Sequence, residues 1–135
     1  MTRINSIPVY ELSDPQLVAE YRELPRAIKM KVNTKDAPQR YCLGQGHVKW
    51  AKKHSIYLFK RYKDLIEEMK FRGFTPNYTM EDLLKRFPPL PENSNDYIPD
   101  DRDMHINRER IMQRYSIRPH FYKWTKREKP NYLKG

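Results

Sequence analysis

The chain has 135 residues and a mass of 16.5 kDa, enough for one modest hydrophobic core and not for two. Lys and Arg number 27 against 17 Asp and Glu, a formal net charge of +10, with one cysteine, Cys42, and a mean hydropathy of −1.00. No stretch nears the ~20 consecutive apolar residues of a bilayer span, the N-terminus lacks the apolar core of a secretory signal, and a lone cysteine excludes a disulfide-stapled scaffold and points to a reducing compartment. Aromatic residues at 13% argue against disorder.

Basic charge on a small domain is the usual footprint of a polyanion partner, nucleic acid being the commonest; the plainer alternative is a basic surface that only keeps the protein dispersed. The charge is unevenly spread. Residues 1–30 are neutral overall, 31–73 carry +7, 74–101 carry −4 and 102–135 carry +7. Two basic regions thus flank an acidic connector containing Pro88, Pro89, Pro91 and Pro99, a pattern that implies one electropositive side.

The first helix should open at Ser13-Asp14-Pro15, where Ser13 or Asp14 caps the free amides, Pro15 suits the first turn and Ser13 with Gln16 fits a capping box. Leu17, Val18, Tyr21, Leu24 and Ile28 keep helical rhythm; Pro25 interrupts it and should bend the axis. Gly44-Gln45-Gly46 is too short for a phosphate loop and reads as a tight turn. A second helix spans Ser55 to Arg72, with Ile56, Phe59, Tyr62, Leu65, Ile66 and Met69 as its apolar face, Lys60, Arg61, Lys63, Glu67 and Glu68 over the rest, and Gly73 as terminator. A short helical turn fits Met80–Phe87, capped by Thr79 with Asp82. The third long helix opens at Asp100 and ends before Pro119, with Met104, Ile111, Met112 and Tyr115 toward the core. No period-2 segment stands out. The expected fold is all-α, a single domain over residues 1–135 made of three long helices and long loops.

His47, His54, His105 and His120 are dispersed, with no HExxH or CxxC spacing, and Cys42 with His47 is a weak pair, so no metal site is expected. More informative is Glu20-Tyr21-Arg22-Glu23-Leu24-Pro25-Arg26. Arg22 and Arg26 share a helical face, and Glu23 sits three residues from Arg26. By itself this reads as a solvated face of weak ion pairs. The N-terminus shifts the balance. Thr2 is small enough for Met1 to be removed, which exposes an α-amine of pKa about 7.7–8.0, against about 10.4 for lysine. Part of that amine is neutral near pH 7 and competent to form a Schiff base.

Met1-Thr2-Arg3-Ile4-Asn5, Ala19-Glu20-Tyr21-Arg22-Glu23-Leu24-Pro25-Arg26, Leu43-Gly44-Gln45-Gly46-His47-Val48, Arg72-Gly73-Phe74, Asp96-Tyr97-Ile98-Pro99, Arg118-Pro119 and Tyr122-Lys123 together closely resemble the pyrimidine-dimer DNA glycosylase/AP lyase family of T-even bacteriophages (phage endonuclease V), in order and spacing over essentially the whole chain. The resemblance implies a compact three-helix fold with the N-terminal segment between the helices. It implies that Thr2 is the nucleophile and Glu23 the catalytic acid, with Arg22 and Arg26 keeping Glu23 ionised. It further implies that Arg3, Arg22, Arg26, Arg110, Arg114, Tyr122 and Lys123 contact DNA, that Phe121-Tyr122-Lys123-Trp124 serves dimer recognition, and that the adenine opposite the lesion is flipped. Those aromatics read equally well as packing around the N-terminus. No metal or organic cofactor is implied. The expected partner is double-stranded DNA with pyrimidine dimers or abasic sites, met by a monomer, without membrane, in the cytoplasm near the nucleoid of an infected bacterium. Pro15-Gln16 replaces the family's Gln-His, and Trp124 and Thr125 stand where tyrosines are usual. The alternatives are an abasic-site lyase, a glycosylase for another lesion, or a basic DNA-binding protein without catalysis.

Overall fold

A computed structural model of the chain describes residues 3–134. Five α-helices follow one another, with no β-strand among the described residues: α1 Asp14–Lys29, α2 His47–Lys53, α3 Ser55–Phe71, α4 Met80–Arg86 and α5 Asp101–Ile117. The helical class expected from the sequence is observed. Three of the helices are long; α2 and α4 have seven residues each, and α2 is an addition to the sequence-based reading.

Local chemistry explains where each helix starts. Capping boxes close the N-termini of α1 (Ser13 with Gln16), α4 (Thr79 with Asp82) and α5 (Asp100 with Asp103), each satisfying two otherwise free amides. The α1 helix runs on past Pro25 to Lys29, and its last carbonyls are met by the Lys52 ammonium, which donates to Ile28 at 3.0 Å and to Met30. Gly46 begins α2 at φ +88°, where a Cβ would lie 3.0 Å from Pro38 Cγ, so both the backbone sign and the space call for glycine.

The core is built on the packing of α1 against α3. Leu17, Leu24, Ala27 and Ile28 meet Leu58, Phe59, Tyr62, Leu65, Ile66 and Met69, all buried. Tyr21 stacks on Tyr62 at 5.2 Å between ring centroids. Trp50 of α2 fills the opposite end, ringed by Tyr41, His47, His54, Tyr57 and Tyr97 at 5.0–6.0 Å. Two expectations need correction. On α3, Arg61 and Glu68, which the sequence set apart from the apolar face, are buried with it, each inside an ion pair. On α5, Met112 is exposed, Met104 and Tyr115 are half-buried, and the inward face consists of Ile111 together with the polar Asp103 and Asn107.

Those polar residues are inward because the start of the chain is there. Ile4, Asn5, Ser6 and Ile7 are buried without regular secondary structure, so their backbone groups need partners from elsewhere. Asn107 Oδ1 accepts from the amides of Ser6 (2.8 Å) and Ile7 (3.2 Å), and its Nδ2 donates to Asn5 Oδ1 at 2.8 Å. Hydroxyls of Tyr41 and Tyr57 donate to the carbonyls of Ile4 and Asn5 at 2.9 and 3.0 Å. The Ile4 amide donates to Nε2 of His47 at 2.8 Å, so that nitrogen carries no proton, and Nδ1–H donates to the Cys42 carbonyl at 2.6 Å. Both ring nitrogens are thereby committed to structure, which settles the Cys42–His47 pairing as a packing arrangement and not a ligand pair.

Two outcomes follow. Asn107→Leu keeps the branched shape but strands two buried amides and the Asn5 Oδ1; at about 1–3 kcal/mol for each unsatisfied group it should cost about 3 kcal/mol or more in urea unfolding, and a loss below about 0.5 kcal/mol would refute the assignment. Burial pushes the His47 imidazole below its ordinary range. The unfolded chain therefore binds the proton more tightly, and stability should be full above about pH 6.5 and decline as pH falls toward the folded value. His54 is shifted the same way by burial, so the measurement is the difference in unfolding midpoint between wild type and His47→Gln across that range; parallel curves would exclude His47 as the source.

Candidate active site

A cleft of about 310 Å³ opens between α1 and α5. Its α1 wall is Gln16, Ala19, Glu20 and Glu23, spaced so that one helical face supplies all four. The α5 wall is Arg110, Ile111 and Arg114; the buried N-terminal segment adds Arg3 and Asn5, and the C-terminal tail adds Tyr122. The structure therefore brings together Arg3, Glu23, Arg110, Arg114 and Tyr122 from the sequence-derived set. Arg22 and Arg26 are exposed on α1 and Lys123 is exposed on the tail; none of the three lines the cleft. Thr2 lies outside the described residues, bonded to Arg3.

Glu20 and Asn5 were not singled out from the sequence. The signal was present, since Gln16, Glu20 and Glu23 repeat at helical spacing, but a periodic carboxylate looks the same whether it meets water or a buried partner. Glu20 meets Arg61 of α3: Nε and Nη2 donate to its two oxygens at 2.8 and 3.0 Å, and both side chains are buried. Arg61 also donates to the Ile7 carbonyl, and Asn5 Nδ2 donates to Glu20 Oε1 at 2.8 Å. An ion pair in such a place holds only when every remaining donor and acceptor is matched, and here the matching groups are those of the N-terminal segment. Glu20 thus neutralises Arg61 while leaving the cleft's second carboxylate, Glu23, to face the opening.

Positive charge converges at the mouth. Burial together with the neighbouring Arg110 and Arg114 pushes Arg3 below its ordinary range, and Tyr41 and Glu23 oppose the shift. Three guanidinium groups held near one another without three carboxylates to match them make a site that favours anions. The Nε–H of Arg110 is buried with no acceptor among the described residues; a phosphate oxygen would satisfy it. A second groove, lined by Arg3, Leu43, Gly44, Ile106, Glu109, Arg110 and Gln113, continues from the cleft and shares Arg3 and Arg110 with it. The arrangement is suited to grip a strand of phosphates and to present a carboxylate to what lies between them. Among the described residues no group of three His, Cys, Asp or Glu side chains could hold a metal ion, and no helix is long and apolar enough to cross a membrane.

The family model for pyrimidine dimer DNA glycosylase matches residues 1–82, a span that runs from the buried N-terminal segment through α1, α2 and α3 into α4. The chain belongs to the pyrimidine dimer DNA glycosylase family; it is a DNA-repair glycosylase, and its substrate is DNA.

Phosphate contacts release counterions, so affinity for duplex should fall linearly on a logarithmic salt scale. Arg3→Gln, Arg110→Gln and Arg114→Gln, made singly, should each reduce the magnitude of that slope by about one. A variant with an unchanged slope in fluorescence-anisotropy titrations would remove its arginine from the phosphate-binding set.

Proposed function

We propose, taking family membership as the premise, that the enzyme excises the 5′ base of a cyclobutane pyrimidine dimer through its N-terminal amine and then cuts the strand. After removal of Met1, the neutral Thr2 amine attacks C1′ of the 5′ nucleotide. The glycosidic bond breaks and its electron pair leaves with the base; the attacking nitrogen gives up its protons, the C1′–O4′ bond opens with O4′ taking one of them, and the nitrogen is left joined to C1′ of the opened sugar as an imine. Loss of the C2′ proton then expels the 3′ phosphate by β-elimination, and water hydrolyses the imine to return the amine.

Glu23 is the acid–base residue of this scheme. As an anion it stabilises positive charge growing on the sugar, and it relays the protons that attack and elimination require. Arg3, Arg110 and Arg114 hold phosphates on either side of the lesion. Arg22 and Arg26, exposed on α1, and Lys123 on the tail extend that grip along the duplex. A fused dimer stacks and pairs poorly, so bending the duplex and extruding a base cost less there than in intact DNA. The protein acts as a monomer and also cuts at abasic sites already present, where only the later steps remain.

The observation that carries this reading is that Arg3, one bond from Thr2, shares a cleft with Glu23, in a segment whose course is fixed by hydrogen bonds at every residue from Ile4 to Ile7.

Borohydride added during incubation with dimer-containing duplex should trap a covalent enzyme–DNA species. Glu23→Gln should lower incision by at least about 100-fold, in the range of an acid–base residue, while binding persists. Acetylating the Thr2 amine should abolish both trapping and incision; full incision by the blocked enzyme would overturn the mechanism.

A further inference from the structure

Immediately after Tyr122 the tail is held mainly by charge. The Asp14 amide donates to the Lys123 carbonyl at 2.7 Å. The Asp14 carboxylate accepts from the Thr125 amide at 3.1 Å, from the Thr125 hydroxyl, and from Nη1 of Arg72 at 2.9 Å. Arg72, whose side chain is buried, gives its Nε–H to Glu68 at 2.8 Å, and Glu68 closes on Arg127 through two bonds of 2.9 Å. The Arg127 guanidinium covers the Phe71 ring at 4.2 Å, and Trp124 Nε1 donates to the Glu11 carbonyl at 2.9 Å. Asp14, Arg72, Glu68 and Arg127 therefore form a chain of alternating sign that ties residues 123–127 to the start of α1 and the end of α3. None of the four lines the cleft; Tyr122, one bond upstream of the tied segment, does.

For Asp14 and for Glu68, burial works against the charged form, yet the hydrogen bonds from Thr125 and Arg72, and from Arg127 and Arg72, hold the carboxyls below their ordinary range. The chain is ionised at any pH at which the enzyme would work. Resting on the Thr2–Glu23 reading and on the part in dimer recognition that the family resemblance gives Phe121-Tyr122-Lys123-Trp124, we propose that this clasp is what positions that stretch: by fixing residues 123–127 it sets the Tyr122 ring in the cleft wall, where the ring meets the bases of a damaged strand. Every base has a face on which an aromatic ring stacks, and an abasic site offers none. Asp14, Glu68 and Arg127 are thus positioning residues for dimer substrate and are dispensable for cutting a site whose base is already gone.

The test uses the full chain carrying Thr125→Ala with Arg127→Ala, two exposed positions, and two duplexes alike except that one holds a cyclobutane dimer and the other an abasic site. Release of the tail should shift Trp124 emission to the red. KM for the dimer duplex should rise about ten-fold with kcat within about two-fold, and cleavage of the abasic duplex should stay within about two-fold of wild type. Arg127→Lys in place of Arg127→Ala should recover most of the dimer KM. Unchanged emission, shifted emission with unchanged dimer KM, or equal losses on both duplexes would each overturn the proposal. Wild-type enzyme that cut neither duplex would bring down the Thr2–Glu23 reading, and the clasp's role with it.

Discussion

Residues Ile4 to Ile7 lie between the helices without regular secondary structure, and the rest of the fold answers to that placement. A helix or a sheet satisfies its own amides and carbonyls; an isolated extended segment does not, and in the interior each unmet group is costly. The partners come from every quarter of the fold. His47 begins α2, Glu20 reaches through Asn5 from α1, Tyr57 and Arg61 come from α3, Asn107 from α5, and Tyr41 from the connection after α1. The arrangement fixes residues 4–7 in the interior and carries Arg3 and Asn5 into the cleft wall.

The same demand explains how charge is distributed. Glu20 and Arg61 neutralise each other inside, and their remaining hydrogen-bonding capacity serves Asn5 and Ile7. Arg72 bridges Asp14 and Glu68 in a second buried group. Acidic residues are thereby used up internally, while Arg3, Arg110 and Arg114 are left toward the opening with Glu23. Three arginines thus meet at one cleft, and such a convergence of positive charge favours an anionic ligand.

How far the sequence showed this depends on the range of the interaction involved. Two of the three capping boxes were readable, and Asp100 was placed at the start of α5 without its partner Asp103, because a cap is made within four residues; most of the apolar face of α3 was readable too, because packing has a period, though the buried Tyr57 and Leu58 fell outside it and Ile56 is half-buried. The fate of Arg61 and Glu68 was hidden, since a charged position on a helix carries no mark of a partner 41 or 59 residues away. Met112 misled for the complementary reason: its apolar side chain fits the α5 rhythm, but α5 docks through Asn107 and Asp103, whose value comes only from the segment they bind. The α2 helix was missed because Gly44-Gln45-Gly46 signals a turn and the seven residues after it are too few for a period to emerge. For the site, Arg3, Glu23, Arg110, Arg114 and Tyr122 converge as expected, whereas Arg22, Arg26 and Lys123 stand outside the cleft wall, and Glu20 and Asn5 became visible only with the fold.

The bond from Ser6 to Asn107 joins residues 101 positions apart, and this sets an order of events during synthesis. Residues 4–7 find partners at Glu20, Tyr41, His47, Tyr57 and Arg61 before α5 is made, but the amides of Ser6 and Ile7 wait for Asn107, some hundred residues later; closing so long a loop is slow. A chain cut short before α5 lacks the Asn107 contacts and the wall of Arg110, Ile111 and Arg114. The cleft is complete only once α5 and Tyr122 have followed.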